Sequence, residues 1–107
     1  MAHYLVQVAY TPESWAAMTK HPQNRIDQIR PAVEKLGGRI QDGYLCFGEY
    51  DLVTIVEFPD NVSAAAFSAS VAGAGSVKAF KTTPLITTAD SVKAMKKAGT
   101  STYEPPG

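Results

Sequence analysis

An α+β domain with the element order β-α-β-β-α-β, followed by one further helix, is the fold this sequence predicts. Three observations predict it. The chain opens on an alternating apolar run at residues 3–10, and a second pair of such runs flanks a turn at Gly48-Glu49. Between and after these runs lie segments with helix start signals, helical apolar spacing and glycine stops.

Residues 3–10 place Tyr4, Val6, Val8 and Tyr10 on one side and Leu5 and Ala9 on the other, with Gln7 the one polar interior residue. Side chains alternate along a strand, so apolar groups on both faces indicate a central strand covered on both sides. Thr11 suits an N-cap, Pro12 the first helical position, and Glu13 the positive helix end. Trp15 and Met18 then share a face. His21-Pro22 ends that piece, because the residue before proline avoids the α region. Ile26, Ile29, Val33 and Leu36 resume a helical stripe, which Pro31 interrupts, so a bend near Gln28 or a fresh start at Pro31 is expected. Gly37-Gly38 supplies the left-handed stop.

Residues 39–47 and 50–58 read as a hairpin. Gly48-Glu49 as a two-residue type II′ loop makes Phe47 face Tyr50. Leu45, Phe47, Tyr50, Leu52, Thr54, Val56 and Phe58 then lie on one side, and Tyr44, Cys46, Asp51, Val53 and Ile55 on the other. A four-residue loop keeps those faces but moves Tyr50 and Asp51 into the turn; an odd-length loop scrambles them. The second strand is the more apolar and therefore central, the first nearer an edge. After Pro59, Asp60 caps an alanine-rich helix over residues 61–74 anchored by Phe67 and Val71. Gly73 and Gly75 loosen its end, and residues 77–82 form a weaker fourth strand. The order so far is the split βαβ, ferredoxin-like arrangement. Thr87 and Thr88 open a last helix whose Asp90 and Lys93, Lys96 and Lys97 suit the helix dipole. The chain thus divides into a domain at 1–87, a helix at 88–99 and an extended, proline-containing tail at 100–107 that includes Tyr103.

At 107 residues the chain has room for one core, and 45% apolar with 19% charged residues is an ordinary globular composition. Ten basic and ten acidic residues cancel, so no broad positive field exists to hold nucleic acid or an anionic membrane. The start lacks the basic-then-apolar pattern of a secretory signal, and no apolar run reaches transmembrane length. One cysteine excludes an internal disulfide and fits a reducing cytoplasm.

A ferredoxin-like sheet carries its two helices on one face. The other face here still bears apolar side chains, and an uncovered patch of several hundred Å² is unusual on a monomer. A homodimer, sheet against sheet about a two-fold axis, is the expected cover. The alternative is that the last helix and tail cover the face in cis.

With Gly48-Glu49-Tyr50-Asp51 at the hairpin tip, the chain resembles the bacterial GYD-domain family, named for a Gly, Tyr, Asp signature. Gly48, Tyr50 and Asp51 match that signature, and Gly37-Gly38 and Pro59-Asp60 fit the family's habits. The likeness covers about residues 3 to 98. It implies a dimeric α+β barrel and no established reaction.

Tyr50 and Asp51 have a structural reading, in which Tyr50 packs at the hairpin end and Asp51 bonds backbone donors near the turn. Their functional reading makes Asp51 a general base or ligand anchor in a cavity between sheet layers. On that reading Gln7, Tyr44, Tyr50 and Asp51 bind a small, mostly apolar molecule, with Asp51 and Tyr50 the candidates for any catalysis. Whether the protein is an enzyme stays open; proton transfer or cofactor-free oxidation fits better than hydrolysis, because no nucleophile-base pair is evident. The rival is a non-catalytic assembly protein whose barrel and tail contact other copies or a larger partner. Cys46 reads as a small buried hydrophobe. His3 and His21 do not make a metal pair by spacing, and neither a metal nor a cofactor is expected. No phosphate-binding loop is present, since Gly73-Ala74-Gly75 follows a helix.

Overall fold

The computed structural model describes residues 1–107. Its elements are β1 (Ala2–Tyr10), α1 (Pro12–Lys20), α2 (Arg25–Lys35), β2 (Arg39–Leu45), β3 (Leu52–Phe58), α3 (Asn61–Gly73), β4 (Val77–Leu85) and α4 (Thr88–Ala98). The four strands form one antiparallel sheet in the order β2-β3-β1-β4. This is the expected ferredoxin-like α+β fold with the predicted central strands, and β2 lies at an edge.

The helix signals act as their chemistry requires. Thr11, Asn24, Asp60 and Thr87 each accept a bond from the backbone N–H three residues on. At the end of α2, Gly37 adopts φ 82°. The Gly37 N–H then donates to Glu34 O at 2.9 Å and the Gly38 N–H to Val33 O at 3.0 Å, a Schellman closure. Pro31 lies inside α2 and does not start a new helix. The bond it removes is outweighed by caps at both ends and by Val33, which is wholly buried.

One face of the sheet holds the core. Tyr4, Val6, Val8 and Tyr10 from β1 and Leu52, Val56 and Phe58 from β3 pack against Val33 of α2 and Ala64 and Phe67 of α3. Aromatic rings run through it, with centroids 6.0 Å apart for Tyr4 and Phe58, 5.8 Å for Phe58 and Phe67, and 5.9 Å for Phe67 and Phe80. Two polar groups of this layer are matched: the Tyr4 hydroxyl donates to Asn61 Oδ1 at 2.6 Å and buried Thr54 to the Asp42 carbonyl.

Two details of the strands differ from expectation. The β2–β3 register pairs Tyr44 with Val53 and Leu45 with Leu52, so the predicted faces hold. Past Leu45 and Leu52 only the Cys46 N–H to Asp51 O bond continues the pairing. The two-residue turn gives way to the longer-loop alternative, which keeps the strand faces and takes Tyr50 and Asp51 into the connection, with Phe47 95% exposed. The cause is Asp51, whose own backbone N–H is drawn to Val8 O of β1 at 2.8 Å. The fourth strand also runs on to Leu85; Pro84 is tolerated because β4 is an edge strand.

The opposite face of the sheet carries no helix. By register Leu5 lies beside Ile55 and Gln7 beside Val53, with Tyr44 next in the row. Helix α4 buries none of its residues and leaves Val92 and Met95 49% and 70% exposed, so it is not a cover in cis. The radius of gyration is 17.1 Å, against about 13 Å for a compact chain of this length.

Candidate functional site

The end of β1, the start of α1, the α1–α2 connection and the β2–β3 loop meet at one corner of the domain. Asp51 joins them. One carboxylate oxygen, Oδ2, accepts from the Tyr10 backbone N–H at 2.9 Å and from Trp15 Nε1 at 3.2 Å. The Asp51 carbonyl in turn accepts from Cys46 N–H at 2.8 Å, and the Cys46 thiol donates to Tyr50 O at 3.2 Å. Tyr10 and Trp15 stand edge to face, 5.8 Å apart at 85°. Asp51 therefore fastens the loop to β1 and fixes the indole of α1.

Beside this clamp opens a cleft of about 710 Å³ with Tyr10, Trp15, Met18, Leu45 and Leu52 among its apolar walls and Gln23, Asn24 and Arg25 on its polar side. Gly43 makes the geometry of the far wall. A Cβ there would overlap the Ile26 side chain at Cδ1 and Cγ1, so a larger residue at this position requires Ile26 of α2 to move away from β2.

Behind the cleft, between the sheet and helices α2 and α3, is a second cavity of about 190 Å³. It is lined mainly by apolar side chains, including Val6, Ile29, Phe67, Val71 and Phe80. Tyr10, Arg25 and Leu52 border both spaces.

Arg25 is the unusual residue. It occupies the first position of α2, after the Asn24 cap, where the helix end is already positive and an acid is the favoured choice. Its Nη1 donates to Gln23 Oε1 at 2.7 Å, but its Nε is buried and has no partner. An orphaned buried donor costs about 1–3 kcal/mol. Burial pushes the neighbouring Tyr10 phenol above its ordinary range, with the polar contact from Arg25, and after it the Arg25 charge, acting the other way.

The four residues expected to bind a ligand are not gathered in one place. Gln7 and Tyr44 lie on the helix-free face of the sheet, and Tyr44 donates to Asp42 Oδ2 at 3.0 Å, which raises its phenol. Tyr50 and Asp51 belong to the loop, and Asp51 points to Tyr10 and Trp15. His3 Nε2 is 3.3 Å from Glu57 Oε1 on the helix-free face. No group of three or more His, Cys, Asp or Glu side chains is placed to hold a metal ion. No helix is long and apolar enough to cross a membrane.

Arg25, Trp15 and the inner cavity were not identified as a site from sequence. A cation at the first position of a capped helix was the available signal, and only the packing of α2 on the sheet gives it meaning.

The GYD domain family model matches residues 4–95. No curated protein matches the chain. Among solved structures, the fold is similar to the crystal structure of MtbAldR, with TM-score 0.62 and 20% identity over 80% of this chain and 53% of that one. This chain therefore spans about half the length of MtbAldR. It is also similar to FFRP-DM1, with TM-score 0.51 and 15% identity over 80% of this chain and 100% of that one. A hypothetical protein, PHS023 from Pyrococcus horikoshii, gives TM-score 0.52 and 17% identity over 81% and 92%. At these identities the likeness is one of fold.

Proposed function

The chain belongs to the GYD domain family, and from that premise we propose that it is a small cytoplasmic homodimer, an α+β barrel of two copies, that binds a small, mostly apolar molecule. The observation that carries the binding reading is the 710 Å³ cleft, concave and largely apolar with polar groups on one side, the usual character of a ligand site. Tyr50 and Asp51 serve it by holding the loop and the Trp15 wall. Gln7 and Tyr44 face the space between the two sheet layers of the dimer and shape that boundary.

Self-association is supported by the helix-free face, whose Leu5, Val53, Ile55 and 63%-exposed Tyr44 have no cover within the chain. Native mass spectrometry of freshly purified protein reports subunit number and retained ligand together. A two-subunit species carrying or accepting a small molecule is the expected result. A lone subunit at micromolar concentration ends the dimer, and failure to take up any small molecule ends the binding reading.

A second reading, an assembly protein without a ligand, is favoured by one observation: α4 and the tail stand free, with Val92, Met95 and Tyr103 exposed. Deleting residues 100–107 separates the two. A binder keeps its ligand affinity, whereas an assembly protein loses its higher species.

A further inference from the structure

We propose that the two cavities at Arg25 take an organic monocarboxylate with a ring-sized apolar body, its carboxylate on the Arg25 guanidinium and its ring in the inner cavity. This rests on the reading of the protein as a small-molecule binder and names the ligand class.

Charge sets the head group. Arg25 is the only charged residue among those lining the cleft or the inner cavity. No carboxylate of the chain forms an ion pair with it. The nearby acid, Asp51, is committed to Tyr10 and Trp15. One uncompensated cation calls for one negative charge; a phosphate dianion would need further basic groups, and none lines either space. The planar fork of a guanidinium suits the two oxygens of a carboxylate, and the buried, unpartnered Nε leaves one of its donors to be matched when the side chain turns to a ligand.

Volume sets the body. The inner cavity measures about 190 Å³ and is walled by Val6, Val8, Ile29, Phe67, Val71 and Phe80. An apolar cavity of roughly 150 Å³ suffices for benzene, so one ring or a branched aliphatic group of that size fits and a long acyl chain does not. Position joins the two requirements: Tyr10, Arg25 and Leu52 line both spaces, so a ligand with its ring in the inner cavity has its acid beside the guanidinium.

The test uses the full chain and two probes of one shape, benzoate and neutral benzyl alcohol, followed by amide NMR shifts at neutral pH. Benzoate is expected to perturb Ala32, Val71 and Val77 and to bind about ten- to a hundredfold more tightly than benzyl alcohol, the scale of a charge-assisted bidentate contact. Arg25→Gln should abolish that preference while leaving benzyl alcohol affinity within about twofold. Arg30→Gln, on the same helix and 3.9 Å from Asp27, should leave both probes unchanged. If Arg25→Gln does not fold, Arg25→Lys keeps the charge without the fork and should weaken benzoate alone; the wild-type preference itself needs no variant. Equal binding of the two probes to the wild type, or a preference that survives Arg25→Gln, overturns the carboxylate assignment and leaves small-molecule binding standing. Absence of cavity shifts with either probe up to millimolar concentration overturns both.

Discussion

Asp51→Ala should destabilise the domain by about 2–3 kcal/mol, and the structure says where. The carboxylate accepts two bonds, from the Tyr10 N–H at 2.9 Å and Trp15 Nε1 at 3.2 Å. Bonds to a charged acceptor contribute about 1.5–3 kcal/mol each, but the two are unequal here. The Tyr10 N–H belongs to a buried residue at the irregular end of the β1–β4 pairing and cannot turn toward water. The half-buried indole can move and recover part of its loss, which keeps the sum below twice the single value. Asp51→Asn retains an acceptor oxygen and loses only the charge, so about 1 kcal/mol is expected. Urea denaturation measures both. Trp15 is the only tryptophan, so its emission reports this site specifically and should change in Asp51→Ala before any global unfolding. A double-mutant cycle with Trp15→Phe should give a coupling of about 0.5–1.5 kcal/mol. An Asp51→Ala protein within about 0.5 kcal/mol of wild type, with unaltered emission, would refute the clamp.

Other consequences are equally specific. Gly38→Ala should cost about 2–3 kcal/mol, because its Cβ would lie 2.6 Å from the Glu57 carbonyl oxygen and 2.6 Å from the Phe58 ring. Gly73→Ala, which meets nothing within 4 Å, should be neutral or stabilising in the same urea series. Glu57 sits against Arg39, with Arg39 Nε at 2.9 Å from Oε2, and that contact holds its carboxyl below the ordinary 4.5. Its contribution to stability is therefore fully present above that value and is lost as pH falls through the lowered one; Glu57→Gln should flatten the acid limb of a stability-pH curve, and an unchanged limb would count against the pair. Ile55→Lys, on the uncovered face, should give a folded single subunit in light scattering, and a dimer that persists would move the interface elsewhere.

Much of the architecture was legible because it follows from local chemistry. The strand faces could be read from alternation alone, and α1, α3 and α4 began at the residues whose side chains cap helices. The hairpin tip was only partly legible: a longer loop that keeps the strand faces stood as the alternative to the two-residue turn, and the choice between them is non-local. Gly48-Glu49 satisfies a two-residue turn, but Asp51 bonds to β1, a strand more than 40 residues earlier. That long-range contact decides the loop. Of the two alternatives open at Pro31, a bend near Gln28 or a fresh start, the fresh start is the one that fails: α2 runs from Arg25 to Lys35 through it, along the apolar stripe whose Val33 is fully buried. The candidate site was the least legible part. Gln7 and Tyr44 were placed on the correct strand face, yet the cleft is framed by Trp15 and Arg25, which belong to different helices and meet only after both pack on the sheet.

The two loop residues that sequence pointed to and the cation it missed are parts of one arrangement. Asp51 uses its charge on Tyr10 and Trp15 and so cannot also neutralise Arg25, although both lie around the same tyrosine. Had the acid turned to the guanidinium, the corner would be a closed ion pair with no demand for an outside anion. Instead the negative group holds the wall and the positive group is left with a buried, unmatched donor. A protein retains such a mismatch at a cost in stability, and such local violations concentrate where a site is kept ready. The division of labour also explains why the clamp and the ligand contact are separable by mutation: Asp51 acts through the position of Trp15, whereas Arg25 can act on a ligand directly.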